Sequence, residues 1–172
     1  IDKVATPRWS TNFICLDSNP FIVKHYKSIV LTCLFLTLHI VSFSQKQVLD
    51  SIMHHLRNSD TREWAEFSER PDGNQLTIHF SINKSNADHT IRYRQYDVKQ
   101  EWQVKLNDYK IGSLVVDEKD LVSYLNVPHR FLNPGVNTLR IESSSNISDD
   151  IRIGEIILED RPIDQVLSEA EI

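Results

Sequence analysis

The sequence predicts an all-β chain: an antiparallel β-sandwich or jelly roll with one short helix at its N-terminal side. Three observations carry that prediction. The first is Leu132-Asn133-Pro134-Gly135-Val136-Asn137-Thr138-Leu139-Arg140-Ile141, where a Pro-Gly turn delivers the chain into an alternating strand. The second is Trp102-Gln103-Val104-Lys105-Leu106-Asn107-Asp108, an alternating strand that runs into an Asn-Asp reversal. The third is spacing: seven or eight short period-two segments recur about every ten residues, with turn residues between them.

Taken in order, the elements begin with Val48, Leu49, Ile52 and Leu56, which recur at helical spacing. They predict a short amphipathic helix over Lys46 to Arg57, ending at Asn58-Ser59-Asp60. The period then changes to two. Pro71-Asp72-Gly73-Asn74 is a turn, and Leu76, Ile78, Phe80 and Ile82 alternate with Thr77, His79 and Ser81 as a half-buried strand. Ile91, Tyr93 and Gln95 alternate with Arg92 and Arg94. Trp102, Val104 and Leu106 form the next strand, and Asn107-Asp108 turns it back into Ile111 and Leu114. Leu121 to Val127 is a further strand, Leu139 and Ile141 another. Ile151, Ile153, Ile156 and Leu158 close the set, with a bulge at Gly154, and Arg161-Pro162 ends it. Trp102 and Tyr93 fall at core positions.

Residues 24–44 read differently. Lys24, His25 and Lys27 form a positive front, Ile29 to Val41 an apolar run, and Ser42-Phe43-Ser44 a small-residue exit. That is the order of a secretory signal peptide, and the run is short of the roughly 20 apolar residues a membrane span needs. Cleavage after Ser44 would begin the working protein at Gln45. The division expected is therefore 1–23 outside the mature protein, 24–44 signal peptide, 45–60 short helix and linker, 61–162 β-sandwich, and 163–172 the start of a further segment. The chain reads as a piece of a longer protein, secreted or periplasmic. Cys15 and Cys33 precede Gln45, so export would leave the domain without a disulfide or a reactive thiolate.

The composition excludes some chemistry. The 172 residues are 40% hydrophobic and 25% charged, with a formal net charge of −5. No clustered Lys/Arg run exists to hold phosphates, which argues against nucleic acid as a partner. None of the seven histidines shows the spacing of a hydrolytic zinc motif, and no serine sits in a nucleophile elbow. Structural calcium is the one cofactor the residues admit. Asp149 and Asp150 are adjacent carboxylates in a loop, with Glu155 close behind, and hard cations take oxygens from such loops. The competing account is a turn in which the aspartates bond local backbone N–H groups. For a ligand, exposed rings with polar neighbours suit a sugar: the ring offers an apolar face and the polar groups bond hydroxyls. Arg92, Arg94, Tyr96, Asp97 and Tyr109 are the candidate binding residues, with Trp64 and Tyr124 as further rings.

Trp102 to Leu158 resembles the galactose-binding-like β-sandwich family, through Trp102 to Asn107, Ile111-Gly112-Ser113-Leu114, and Leu132 to Ile141. In such proteins these segments form the reversal after a central strand and the Pro-Gly-x-Asn turn into a late strand. From about Trp64 to Ala170 the chain also resembles the N-terminal module of secreted CehA/McbA-type metallohydrolases, of the polymerase-and-histidinol-phosphatase type. Arg94-Gln95-Tyr96-Asp97-Val98-Lys99, Trp102, Asp149-Asp150-Ile151, Gly154-Glu155-Ile156 and Arg161-Pro162 carry that likeness. It implies a catalytic domain further along, with metal ligands beyond Ile172, so no catalytic residue transfers to this chain.

The expected function is a non-catalytic accessory module of a secreted protein, binding carbohydrate or docking on a downstream domain of the same chain, with no stable membrane span. The alternatives are the N-terminal domain of a metal-dependent hydrolase, and a free-standing extracellular adhesion or structural module.

Overall fold

The computed structural model describes residues 45–170. The signal-peptide segment, residues 1–23 and both cysteines lie outside the described residues. Eight strands follow one another: β1 (Lys46–Arg57), β2 (Gln75–Ile82), β3 (His89–Tyr96), β4 (Trp102–Leu106), β5 (Tyr109–Ser113), β6 (Leu121–Val127), β7 (Gly135–Ser143) and β8 (Asp150–Glu159). A 3₁₀ turn at His129–Phe131 precedes β7, and one helix, α1 (Ile163–Ala170), ends the described chain. The strands make two antiparallel four-stranded sheets, ordered β1-β8-β3-β6 and β2-β7-β4-β5. This is the β-sandwich expected from the period-two pattern.

The pattern works because each sheet buries one face. On β2, Leu76, Ile78 and Phe80 are buried while Thr77, His79 and Ser81 are exposed. Trp102, Val104 and Leu106 of β4 and Leu139 and Ile141 of β7 complete that sheet's inner face. Ile91 and Tyr93 of β3 and Ile151, Ile153, Ile156 and Leu158 of β8 supply the core from the other sheet. Burying each such side chain contributes on the order of 1.5–3 kcal/mol.

The two motifs that announced the fold hold each other. Asn107 and Asp108 both have positive φ, 49° and 69°, as a two-residue hairpin turn requires and as Asn and Asp tolerate. The Asn107 side-chain amide then donates to Asn137 Oδ1 at 2.8 Å and to the Phe131 carbonyl at 2.7 Å, while Asn107 Oδ1 accepts from the Thr138 N–H at 2.9 Å. Asn137, itself buried, donates to the Asn133 and Gly135 carbonyls and accepts from the Asn133 N–H. Gly135 sits at φ 92°, where a side chain would be strained. The Pro-Gly-Val-Asn sequence is thus a turn whose Asn is pinned to the neighbouring hairpin.

One expectation is corrected: Lys46–Arg57 is strand β1, not a helix. Of the four residues at helical spacing, Leu56 is buried and Leu49 partly buried, while Val48 and Ile52 are 62% and 60% exposed. They mark no buried stripe. β1 is an edge strand paired to β8, and its register shifts between Val48 and Asp50 and again between Asp50 and Met53. Each irregularity resets the two-residue phase, so the apolar positions drift and imitate a period near 3.6. Among the described residues the helix stands at the other end, where Val166 of α1 is buried and Arg161 joins Glu159 to Glu169.

Candidate ligand-binding cleft

Pairing register places the outward side chains of the β1-β8-β3-β6 sheet in rows. Arg152 of β8 lies across from His55 of β1 on one side and Tyr96 of β3 on the other. One row along, Met53, Gly154 and Arg94 align in the same way. Gly154 is required there: a Cβ would stand 1.9 Å from the Ile52 carbonyl oxygen. The adjoining Glu155, at φ 47°, forms the bulge foreseen at this point.

Three loops wall this part of the sheet into a cleft of about 680 Å³. Met53, Arg94, Tyr96 and Arg152 come from the strands. Trp64, Glu66 and Phe67 come from the β1–β2 loop, Asp97 and Lys99 from the β3–β4 loop, and Glu118 and Asp120 from the β5–β6 loop. Trp64 and Tyr96 are the exposed rings, 52% and 40% accessible. Phe67 is buried, stacked on His55 with centroids 4.9 Å apart.

The charged groups are held firmly. Arg94 donates from Nε and Nη2 to the two oxygens of Asp120, at 2.8 and 2.7 Å, and from Nη1 to Glu155 at 3.0 Å. Asp120 foremost, then Glu155, raise its guanidinium pKa further, and Arg94 in turn lowers that of Asp120. Lys99 bridges Asp97 at 2.8 Å and Glu63 at 3.1 Å. Burial opposes its charge, but the two carboxylates outweigh that and raise its pKa. Its ammonium also lies 5.7 Å from the Trp64 ring centroid. Asp97, at φ 60°, turns the chain out of β3 into this loop.

The wall bearing Trp64 and Phe67 is fastened from beneath by Asp150. Its Oδ1 accepts from Arg57 Nε at 2.7 Å and pairs with His55 Nε2 at 2.6 Å, and its Oδ2 accepts from the Glu63 N–H at 2.7 Å. Arg57 continues to the Ser68 and Glu69 carbonyls. Burial penalises the charged carboxylate, yet the Glu63 N–H, His55 and Arg57 together hold its pKa below the usual range. Asp149 serves a different place. It accepts from Trp102 Nε1 at 2.8 Å and from the backbone N–H of Gln100 at 3.0 Å, and burial pushes its pKa up against these bonds.

Of the residues predicted for a ligand, the structure brings Arg94, Tyr96 and Asp97 together with Trp64. Arg92 pairs across to Tyr124 and Ile157 further along the sheet, outside the cleft. Tyr109 begins β5 in the other sheet, stacked on Phe131 at 4.9 Å. The expected calcium trio is held apart by other partners: Asp149 bonds Trp102 and backbone N–H, Asp150 bonds His55 and Arg57, and one Glu155 oxygen bonds Arg94. Among the described residues no three His, Cys, Asp or Glu side chains converge as metal ligands. Nor do the aspartates make a local turn, since their donors lie 47 to 95 residues away in sequence. Sequence reasoning passed over Arg152 and Phe67. The signal for Arg152 was present: it interrupts Ile151 and Ile153, and period two points such a residue outward.

No family model and no curated protein matches the chain. Several solved structures are similar to it. One is the first family-36 carbohydrate-binding module of a multidomain xylanase from the hindgut metagenome of Trinervitermes trinervoides, at 9% identity over 67% of this chain and 96% of that one, TM-score 0.43. Another is a family-36 module in complex with calcium and xylotriose, at 15% identity over 66% and 97%, TM-score 0.39. A third is a family-35 module from Clostridium thermocellum, at 10% identity over 66% and 97%, TM-score 0.37. No helix among the described residues is long and apolar enough to cross a membrane.

Proposed function

We propose that the β-sandwich is a non-catalytic carbohydrate-binding module of an exported protein, and that the glycan lies in the cleft over Tyr96. The observation that carries this is the pairing of two exposed rings, Trp64 and Tyr96, with Arg94, Asp97, Lys99 and Arg152 around one concavity. A sugar ring has an apolar C–H face and a hydroxyl rim, and a site with flat aromatic surface and fixed polar groups matches both. The ion pairs Arg94–Asp120 and Lys99–Asp97 fix their side chains before any ligand arrives, which lowers the ordering cost of binding. The volume also falls within the range of roughly 300–1,000 Å³ typical of small-ligand sites.

The test is isothermal titration calorimetry of the full chain against soluble plant and bacterial polysaccharides, with Trp64→Ala and Tyr96→Ala beside the wild type. At least one polysaccharide should bind, and each substitution should weaken it about tenfold or more. If none binds, the proposal fails.

A docking role has its own support. Val48 of β1 and Val136 of β7 are exposed and share a second, shallower depression, and an exposed apolar patch suits contact with another domain. The residues behind the CehA/McbA-type resemblance sustain the thought of a hydrolase parent whose active site lies beyond Ile172. Asp149 with Trp102, and Asp150 with His55 and Arg57, act as structural ties here, consistent with an N-terminal module that leaves the chemistry to its neighbour.

A further inference from the structure

Three cations line the cleft, and they are not alike. Arg94 is clamped by two carboxylates, and so is Lys99. Arg152 has neither a carboxylate nor a side-chain hydrogen bond among the described residues; its guanidinium carbon lies 5.4 Å from the Phe67 centroid and 5.8 Å from that of Tyr96. It stands on β8, between β1 and β3, and is exposed. Stacking holds a guanidinium flat without using its N–H donors. Arg152 lines the cleft with Tyr96, and its N–H donors remain available to a ligand.

We infer that Arg152 is an oxyanion receptor and that the bound glycan is acidic, carrying a carboxylate or sulfate that meets the guanidinium while a sugar ring lies on Tyr96. This rests on the carbohydrate reading above. A planar fork matches carboxylate or sulfate oxygens with two parallel N–H bonds. The other two cations are already neutralised, Arg94 by Asp120 and Glu155 and Lys99 by Asp97 and Glu63. Four carboxylates also line the cleft: Asp97 and Asp120 are paired with Lys99 and Arg94, while Glu66 and Glu118 are exposed, where water and salt weaken their repulsion of an anion held directly by Arg152.

The experiment is a titration of the full chain with three probes of similar length: a neutral xylo-oligosaccharide, an oligogalacturonide and a sulfated heparin-type oligosaccharide. Wild type, Arg152→Met and Arg152→Lys are compared, with thermal melts to verify folding. The inference expects one acidic probe to bind at least about tenfold more tightly than the neutral one. Arg152→Met should abolish that preference, and Arg152→Lys should retain only part of it. The carboxylate and sulfate arms identify the anion. Equal binding of neutral and acidic probes, or a preference that survives Arg152→Met, would overturn the inference and leave the carbohydrate function standing. Binding of no probe would overturn the inference, and the polysaccharide titrations described above would then decide the carbohydrate function. If Arg152→Met unfolds, Arg152→Lys decides, since a point charge on a flexible stem cannot reproduce the fork.

Discussion

Two adjacent residues at the entry to β8 divide the labour of this molecule. Asp149 ties Trp102 into the core, and Asp150 fastens the loop that carries Trp64. Their pKa values move in opposite directions, and so must their contributions to pH-dependent stability. Asp150 is held below its unfolded value of about 4, so the unfolded chain binds more protons in that window. The stability it contributes is present above pH ~4 and is lost as the pH falls toward its folded pKa. Asp149 is raised, so the folded chain keeps its proton longer, and stability declines as the pH rises above ~4 toward the folded pKa. Urea unfolding at a series of pH values should show Asp150→Asn with a shallower acid-side loss and Asp149→Asn with a steeper net rise of stability above pH 4. Asp149→Ala leaves the buried Trp102 Nε1–H without its acceptor and should cost about 1–3 kcal/mol. Neither role was legible beforehand. Two neighbouring carboxylates after a polar loop suit a cation or a turn equally well, and their true partners, 47 and 95 residues away, become neighbours only when the sheets close.

The elements were legible to the extent that each keeps one phase. β2, β4 and β7 alternate cleanly and their borders follow their turns. β1 does not, because two register shifts scramble its apolar positions; a bulged edge strand carries no periodic signature of its own. Gly154 is the matching feature on β8, where the backbone of β1 passes too close for a side chain. Gly154→Ala should therefore disrupt the β1–β8 pairing and lower the melting temperature sharply. Gly112→Ala would meet only the movable Leu125 side chain and should be milder, and circular-dichroism melts of the two variants compare them. Asn137→Ala should also destabilise, because it removes three bonds from the Pro-Gly turn and one from Asn107. The motif was readable as a turn, while its clasp to the neighbouring hairpin was not, since nothing in a linear sequence pairs Asn107 with Asn137.

At the scale of the whole molecule, one sheet face and three loops create the cleft, and that convergence explains why the site was only half visible. Arg94, Tyr96 and Asp97 lie close together at the end of β3 and just after it, so sequence proximity found them. Arg152, Phe67 and Asp120 reach the cleft from other elements. Tyr109 looked equivalent to Tyr96 in the sequence but belongs to the opposite sheet. That difference supplies the most direct check of the central claim. Binding affinities of the full chain for its best polysaccharide are to be measured for wild type, Trp64→Ala and Tyr109→Ala, both altered rings being more than half exposed. A ligand seated in the cleft predicts at least about a tenfold loss for Trp64→Ala and wild-type affinity for Tyr109→Ala. Unchanged binding by Trp64→Ala, or a loss confined to Tyr109→Ala, would contradict it.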